Sequence, residues 1–293
     1  MSPLYPGRVV VLGHSGFIGR SLTGLFAGRA VDVHGFSSGE VNLRDAAALD
    51  RLDPFVDSNT TIFVCAALTP DRGATIDACL DHIALSANLA RYLSRRTARK
   101  VVFVSSDAVY PMVATAVDES TPTNPVGAYA VAKFTSERLM EMGVAPQQTP
   151  LLIVRPTAVF GPGDTHNSYG PNRFVRTATM DHTVRLFGQG EELRDHLFVD
   201  DLARILSDLG VAQTTGVLNI ATGTSRTFGS IVEVLRTLTP EPFEVVNAER
   251  GGAITHRSFD IKRLTEAVPR VQFTPFEDAL RATVSEAIAS GRA

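Results

Sequence analysis

A glycine-rich turn between a predicted strand and a predicted helix is the feature that most constrains the fold of this chain. The motif Gly13-x-x-Gly16-x-x-Gly19 follows Arg8-Val-Val-Val-Leu12, a β-branched run too short for a helix. Apolar residues then recur with helical spacing over 17–26. This order presents backbone N–H groups and the positive end of a helix dipole to a phosphate, which predicts a dinucleotide site. An ordinary strand-to-helix turn is the alternative, because 23 glycines in 293 residues produce such spacings by chance.

A second motif, Tyr129-x-x-x-Lys133, predicts a proton-transfer pair. The chain has five tyrosines and three lysines, so this spacing is expected by chance only about 0.05 times. At positions i and i+4 the two side chains share one helix face. A neighbouring ammonium favours the phenolate, which brings the tyrosine pKa toward the pH at which an acid/base group works. The alternative is a surface tyrosine beside a solvated lysine.

The segment between these motifs adds two hydroxyl groups. Lys100 is followed by an apolar run over 101–104, which ends in Ser105 and Ser106. Side chains at the carboxyl end of a strand face the ligand crevice in an open α/β sheet. The two serines are therefore candidates for contact with a substrate.

Five motifs in this order resemble the extended short-chain dehydrogenase/reductases, in the nucleotide-sugar epimerase, dehydratase and ketoreductase branch. The likeness runs from about residue 8 to about residue 285. The motifs are Gly13-x-x-Gly-Phe-Ile-Gly19, Ser105-Ser-x-x-Val-Tyr110, Tyr129-x-x-x-Lys133, Arg155-Pro-x-x-Val-Phe-Gly-Pro162 and Gly188-Gln-Gly-x-x-x-Arg-Asp-x-x-x-Val-Asp-Asp201.

The resemblance implies roles for individual residues. Ser106 matches the serine or threonine that hydrogen-bonds the substrate oxygen, Tyr129 exchanges the proton, and Lys133 binds the nicotinamide ribose. Arg194 matches an arginine that contacts the diphosphate of the sugar nucleotide, with a structural ion pair to Asp195 or Asp200 as the alternative. The cofactor-binding residues implied are Gly13, Ser15, Gly16, Phe17, Ile18, Gly19, Ser37, Ser38, Asn42, Leu43, Ala66, Ala67, Tyr129, Lys133 and Pro156. The substrate-binding residues implied are Ser106, Thr157 and Arg194.

Alternating strand and helix patterns predict an α/β fold with a parallel sheet. The resemblance implies that this sheet is Rossmann-like and doubly wound, with a smaller C-terminal substrate domain. By the family likeness, residues 1–155 plus 197–225 form the dinucleotide-binding domain, and 156–196 plus 226–293 form the substrate domain. A Gly/Pro-rich loop is expected over 161–171. Strands are predicted near 8–12, 31–36, 61–66, 100–105, 151–155 and 217–221, and helices near 17–28, 45–53, 74–95, 126–142, 231–238 and 276–288.

The end of the second predicted strand bears on the choice of cofactor. NAD-binding sites carry an acid there to hold the ribose diol, whereas this chain has Ser37 and Ser38. These hydroxyls suit a 2′-phosphate, and Arg20 offers positive charge, so the sequence favours NADP. NAD remains possible if Asp32 or Glu40 supplies the acid.

Departures from the family pattern bear on the reaction. Related dehydratases carry Asp-Glu after the catalytic hydroxyl residue, whereas this chain has Asp107-Ala108, which disfavours dehydration. A 4-ketoreductase is favoured, and an NAD-dependent 4-epimerase is the alternative. A reductase of a non-nucleotide ketone and a non-catalytic dinucleotide sensor are further alternatives; Arg194 argues against the first, and the intact Tyr129 and Lys133 against the second.

Composition excludes several other classes of protein. A net charge of −3 without a basic run argues against nucleic acid as a partner, and no apolar stretch is long enough for a membrane span. Scattered histidines predict no metal site. Cys65 and Cys79 are expected to be core thiols of a cytoplasmic protein without a signal peptide. The family likeness implies a homodimer formed by the helices near 74–95 and 126–142.

Overall fold

Short apolar strands form a central parallel sheet in the computed structural model, which describes residues 7–29, 31–67, 75–112, 116–164 and 168–291. Parts of the predicted segments 1–155, 74–95, 161–171 and 226–293 lie outside the described residues. The strands, in chain order, are β1 (Val9–Leu12), β2 (Val33–Phe36), β3 (Thr61–Val64), β4 (Lys100–Val104), β5 (Leu151–Pro156), β6 (Ala158–Phe160), β7 (Thr183–Phe187), β8 (Leu193–Phe198), β9 (Gly216–Ile220), β10 (Ser225–Thr227) and β11 (Glu244–Ala248).

The helices flank this sheet or form a separate C-terminal layer. They are α1 (Phe17–Ala27), α2 (Ile76–Leu93), α3 (Ala128–Val144), α4 (Pro171–Met180), α5 (Val199–Val211), α6 (Phe228–Leu238), α7 (Lys262–Ala267) and α8 (Phe276–Ala289). Among the described residues, no helix is long and apolar enough to cross a membrane.

The strand order of the main sheet is β2-β1-β3-β4-β5-β9, and every pair in it is parallel. Successive strands therefore lie on opposite sides of β1, with β2 on one side and β3 on the other. Such a reversal opens a ligand crevice at the carboxyl ends of the strands. The predicted doubly wound α/β fold is confirmed.

Alternating strand residues explain why both faces of the sheet are covered. Val10 and Leu12 pack with α2 and α3 on one face, and Val9 and Val11 pack with α1 and α5 on the other. All four side chains are at most 1% exposed. Burying an aliphatic side chain contributes about 1.5–3 kcal/mol, so the two layers of helices hold the sheet by hydrophobic packing.

One predicted helix has a different geometry. The pattern at 45–53 forms a 3₁₀ helix over Ala46–Phe55, which begins where the Asp45 carboxylate accepts a hydrogen bond from the Ala47 N–H. Pro54 lies inside this segment and has no N–H to donate. The hydrophobic spacing alone does not distinguish the two kinds of helix.

A separate apolar cluster fills the C-terminal layer. It contains Phe174 of α4, Ile231 of α6 and Leu280 of α8. Leu264 and Val268, in contrast, pack with the core beneath the main sheet. The domain boundaries predicted from the sequence stay predictions.

Candidate active site

A cavity of about 800 Å³ lies at the carboxyl ends of the sheet strands. Its wall contains nearly all of the residues predicted to bind cofactor or substrate; Gly19 and Arg194 are the two that do not line it. Those on the wall are Gly13, Ser15, Gly16, Phe17, Ile18, Ser37, Ser38, Asn42, Leu43, Ala66, Ala67, Ser106, Tyr129, Lys133, Pro156 and Thr157.

The glycine turn fits close against the neighbouring backbone. Gly13 has φ +83°, and a Cβ there would lie 2.7 Å from the Ala66 backbone. A Cβ on Gly19 would lie 2.1 Å from the Gly13 carbonyl oxygen, so this glycine lets α1 approach the turn. Helix α1 begins at Phe17 with no acidic residue in its first turn. The turn therefore leaves room and positive potential for a pyrophosphate, as a dinucleotide cofactor requires.

Ser106, Tyr129 and Lys133 lie together on the wall of the cavity. Ser106 follows β4, while Tyr129 and Lys133 lie one turn apart near the start of α3. The Ser106 hydroxyl hydrogen-bonds with Tyr129. The Lys133 Nζ lies 5.9 Å from the centroid of the Tyr129 ring and donates to the Val104 carbonyl at 2.8 Å. The end of β4 and the start of α3 thus bring together a hydroxyl, a phenol and an amine.

The pKa of Tyr129 is shifted in the direction opposite to the sequence expectation. Burial raises the pKa of Tyr129 to about 12, and the Asp107 charge adds to this, while the Ser106 hydroxyl opposes it. Burial also lowers the pKa of Lys133 to about 8. Desolvation of both groups outweighs the predicted stabilisation of the phenolate by the ammonium.

The Ser105 hydroxyl binds Glu137 and not Tyr129. It donates to Glu137 Oε1 at 2.6 Å, whereas Ser106 contacts Tyr129. Glu137 also receives two hydrogen bonds from Arg155, at 2.9 Å and 2.6 Å. This buried network joins β4, α3 and β5 beneath the cavity, and it favours Ser106 over Ser105 as the substrate contact.

Asp107 is joined to the C-terminal part of the chain. Arg257 Nη1 donates to both the carboxylate and the carbonyl of Asp107 at 2.9 Å, and Arg257 Nη2 donates to the Tyr110 carbonyl at 2.9 Å. The Arg257 residue is only 7% exposed. Arg257 therefore holds the turn that carries Ser106, and the Asp107 carboxylate is already bound to a cation.

The Glu40 carboxylate accepts hydrogen bonds from Ser37 at the end of β2. Both the N–H and the hydroxyl of Ser37 donate to Glu40 Oε2 at 2.7 Å, and His14 Nε2 lies 3.2 Å from the same oxygen. The backbone hydrogen bond from Ser37 is the main cause that lowers the pKa of Glu40. Asp32, the other acid considered, instead binds Arg8 and His34.

Arg194 and Cys65 have surroundings that the sequence did not predict. Arg194 donates to the Thr255 carbonyl at 2.6 Å and its hydroxyl at 2.9 Å, and no ion pair with Asp195 or Asp200 is seen in the described part of the chain. Cys65 follows β3 and contributes to the cavity wall, and burial raises its pKa to about 12.

Arg257 and His196 were not predicted from the sequence as residues of the site. Both lie near the cavity, and His196 forms part of its wall. His196 directly follows the Arg-Asp pair of the fifth motif, which is a signal that marks the position but not its role.

Comparison with known proteins places this site in a family. The sequence profile described as "NAD dependent epimerase/dehydratase family" matches residues 9–221. The chain belongs to the NAD-dependent epimerase/dehydratase family. The extended short-chain dehydrogenase/reductase assignment is confirmed, and with it a nicotinamide-dependent enzyme of the nucleotide-sugar epimerase/dehydratase type.

Individual members of this family and fold are also similar. A UDP-glucose 4-epimerase of Mycolicibacterium smegmatis is 29% identical over 220 residues, which cover 67% of this chain and 70% of that protein. Among solved structures, RMD from Pseudomonas aeruginosa with NADPH has a TM-score of 0.86 at 21% identity, covering 97% of this chain and 99% of that one. The UDP-glucose 4-epimerase of Thermus thermophilus with NAD has a TM-score of 0.84 at 22% identity, covering 95% and 98%. These two structures show the shared fold.

Proposed function

We propose that this family member transfers a hydride to and from a hydroxyl-bearing carbon of a nucleotide sugar. The observation that supports this most is the meeting of Ser106, Tyr129 and Lys133 in one cavity with the glycine turn. Tyr129 exchanges the proton of the reacting hydroxyl, Ser106 hydrogen-bonds the same oxygen, and Lys133 holds the ribose. A nicotinamide, when bound, supplies the hydride acceptor and donor.

The contacts of Asp107 support simple redox chemistry rather than dehydration. Dehydration requires a group that removes a proton from carbon. Asp107 is paired with Arg257, and the next residue is Ala108, which has no acidic group. Beside Ser106, the described part of the cavity wall therefore offers hydroxyls and a carboxylate that is already paired.

Glu40 favours NAD over the NADP predicted from the sequence. The Ser37 donors expected to receive a 2′-phosphate are already bound to the Glu40 carboxylate. A carboxylate repels phosphate and accepts hydrogen bonds from a ribose diol. Arg44, which also lines the cavity, is paired with Asp81 at 2.7 Å.

We therefore expect the wild-type protein to prefer NAD, and Glu40→Gln to shift the ratio of NADP to NAD affinity upward by about tenfold. The expected change is modest because the charge repulsion removed lies at an exposed position, where solvent and salt screen it. Competitive fluorescence titration with both cofactors measures it. Asp32→Asn is the control, because it removes an acid of the same strand region that contacts Arg8 and His34 instead. A wild type that prefers NADP, with an unchanged ratio in Glu40→Gln, would leave the original NADP prediction standing.

The NAD proposal changes the preferred reaction. A 4-epimerase keeps NAD bound and returns the hydride to the opposite face of the same carbon, so it needs no exchange of cofactor. The similarity to the UDP-glucose 4-epimerase of Mycolicibacterium smegmatis supports this reaction. The 4-ketoreductase favoured by the sequence is the second candidate, because its reaction requires the same three side chains.

Product analysis separates the two reactions. We expect UDP-glucose and the purified enzyme to yield UDP-galactose, seen by NMR, without net consumption of NAD. Stoichiometric oxidation of NADH or NADPH by a UDP-4-keto sugar, without epimerisation, would instead identify the ketoreductase. Reduction of a simple ketone, with no response to any nucleotide sugar, would exclude a nucleotide-sugar substrate.

The contact between Arg194 and the diphosphate of the sugar nucleotide is part of this proposal. To make it, the guanidinium either forms new hydrogen bonds in addition to those with Thr255 or gives those up.

We further propose that α2 and α3 form a two-fold dimer interface. Ile76, Leu80 and Met142 on these helices are 78%, 58% and 69% exposed, although they are large apolar residues. Pairing α2 and α3 across a two-fold axis would bury them, and isologous dimers are the commonest oligomers. Light scattering at micromolar concentration should give the mass of a dimer. A monomer mass under those conditions would contradict the interface.

The cytoplasmic location predicted from the sequence stays a proposal.

A further inference from the structure

His196 lies at the end of the cavity whose wall contains residues of β6 and β8. It belongs to β8 and pairs in register with Ala158 of β6. Ala158, Phe160 and Gly170 line the same part of the wall. No step proposed above uses this side chain.

The imidazole of His196 is buried and uncharged. The residue is 5% exposed, and a hydrogen bond with the Arg194 backbone is the one found for its ring in the described part of the chain. Burial lowers the pKa of His196 to about 3, and the charges of Arg194 and Arg226 add to this, opposed by that backbone hydrogen bond. A neutral imidazole has one N–H donor and one nitrogen acceptor, both suited to a hydroxyl group.

Aromatic rings surround this imidazole. The ring centroids of Phe160, Phe228 and Phe276 lie 6.4 Å, 5.8 Å and 6.4 Å from that of His196. The imidazole has two ring nitrogens, and the Arg194 backbone provides a partner for one of them. Buried polar groups in native proteins almost always have partners, so the remaining hydrogen-bonding capacity of a ring on the cavity wall points to a ligand.

Other buried or half-buried polar side chains at this end already have partners. Asn172 makes two hydrogen bonds with the Gly161 backbone, at 3.0 Å and 3.1 Å. The Tyr169 hydroxyl accepts from the Phe187 N–H at 3.2 Å, and the Thr157 hydroxyl donates to the Asp195 carbonyl at 2.9 Å. Among these described side chains, His196 is the one with a ring nitrogen left for a ligand.

We propose that His196 determines substrate specificity by hydrogen-bonding a hydroxyl of the sugar ring. This inference rests on the proposed nucleotide-sugar substrate and adds a contact beyond Ser106 and Tyr129. Phe160, beside it on the wall, packs against an apolar face of the same ring.

Calorimetric titration of the full-length protein tests the contact. The probes are UDP-glucose and dTDP-glucose, compared with UDP and dTDP, which lack the sugar. We expect His196→Phe to weaken binding of the nucleotide sugar by about tenfold while leaving the nucleoside diphosphate unchanged. His196→Gln, which keeps a donor and an acceptor, should retain most of the affinity. His34→Gln, on the edge strand β2 outside the cavity wall, is the control.

NMR of the wild type makes the test independent of whether a variant folds. The ring nitrogen signals of His196 should shift when a nucleotide sugar is added and should not shift with the nucleoside diphosphate alone. If nucleotide sugars bind but neither the His196 signals nor the His196→Phe affinity changes, the specificity role is wrong and the proposed function stands. If no nucleotide or nucleotide sugar binds to the wild type, the proposed function fails and this inference fails with it.

Discussion

Tyr129→Phe should lower turnover by about 10²- to 10⁴-fold, which is the usual contribution of a general acid/base group. In the proposed mechanism the hydroxyl exchanges the proton, and it interacts with Ser106 on the wall of the cavity. The ring remains, so we expect cofactor affinity to be nearly unchanged. Stopped-flow measurement of reduced nicotinamide, by its near-ultraviolet absorbance after mixing with UDP-glucose, gives the rate of the hydride step.

Tyr92→Phe is the matched control for this loss. Tyr92 lies on α2, is 1% exposed, and does not line the cavity, so the same hydroxyl is removed from a buried ring elsewhere. Its variant should turn over like the wild type. A Tyr129→Phe rate within about threefold of wild type would fall far short of an acid/base contribution and would remove Tyr129 from the proposed mechanism.

Glu137→Gln should lower the free energy of unfolding by about 3–5 kcal/mol, the range for breaking a buried ion pair. The side chains of Arg155 and Glu137 are 4% and 0% exposed. Without the carboxylate, the Arg155 guanidinium stays buried with an uncompensated charge. Ser105 also loses its charged acceptor. Urea denaturation of wild type and variant measures the difference.

Glu141→Gln provides the comparison, since Glu141 pairs with Arg138 at 2.9 Å on the surface of the same helix. Both members of that pair are more than 40% exposed, and surface pairs contribute about 1 kcal/mol or less. Equal losses in the two variants would mean that the network beneath the cavity does not stabilise the fold as argued. A loss confined to Glu137→Gln would support it.

Patterns local to one segment predicted the sheet and the position of the main motifs. Three features lie next to one another in the chain: the β-branched run at Val9–Leu12, the glycine turn and the helix from Phe17. Their spacing in the sequence is therefore enough to predict a strand, a turn and a helix. Tyr129 and Lys133 are four positions apart on one helix, and helical geometry alone puts them on one face. The main strands agree with the predicted ones to within about two residues, because hydrophobic periodicity reports burial directly.

The hydrogen bonds at the ribose end of the cavity are not predicted by such local patterns. The sequence places Ser37, Ser38, Asp32 and Glu40 close together, but it does not say which acid turns toward the serines. In the folded chain the turn after β2 brings Glu40 onto both donors of Ser37, and Asp32 turns to Arg8. Three residues of separation permit this contact without requiring it, since turn geometry decides it.

Contacts between distant segments depend on the packing of whole elements. Arg257 and Asp107 are 150 residues apart, and no repeat or spacing links them. The surroundings of His196 likewise depend on rings from β6, α6 and α8 that meet only in the C-terminal core. Periodicity records which face of an element is apolar, and it therefore predicts layers. Which polar side chains meet between those layers is set by the close packing of the apolar surfaces, and that arrangement exists only in the folded molecule.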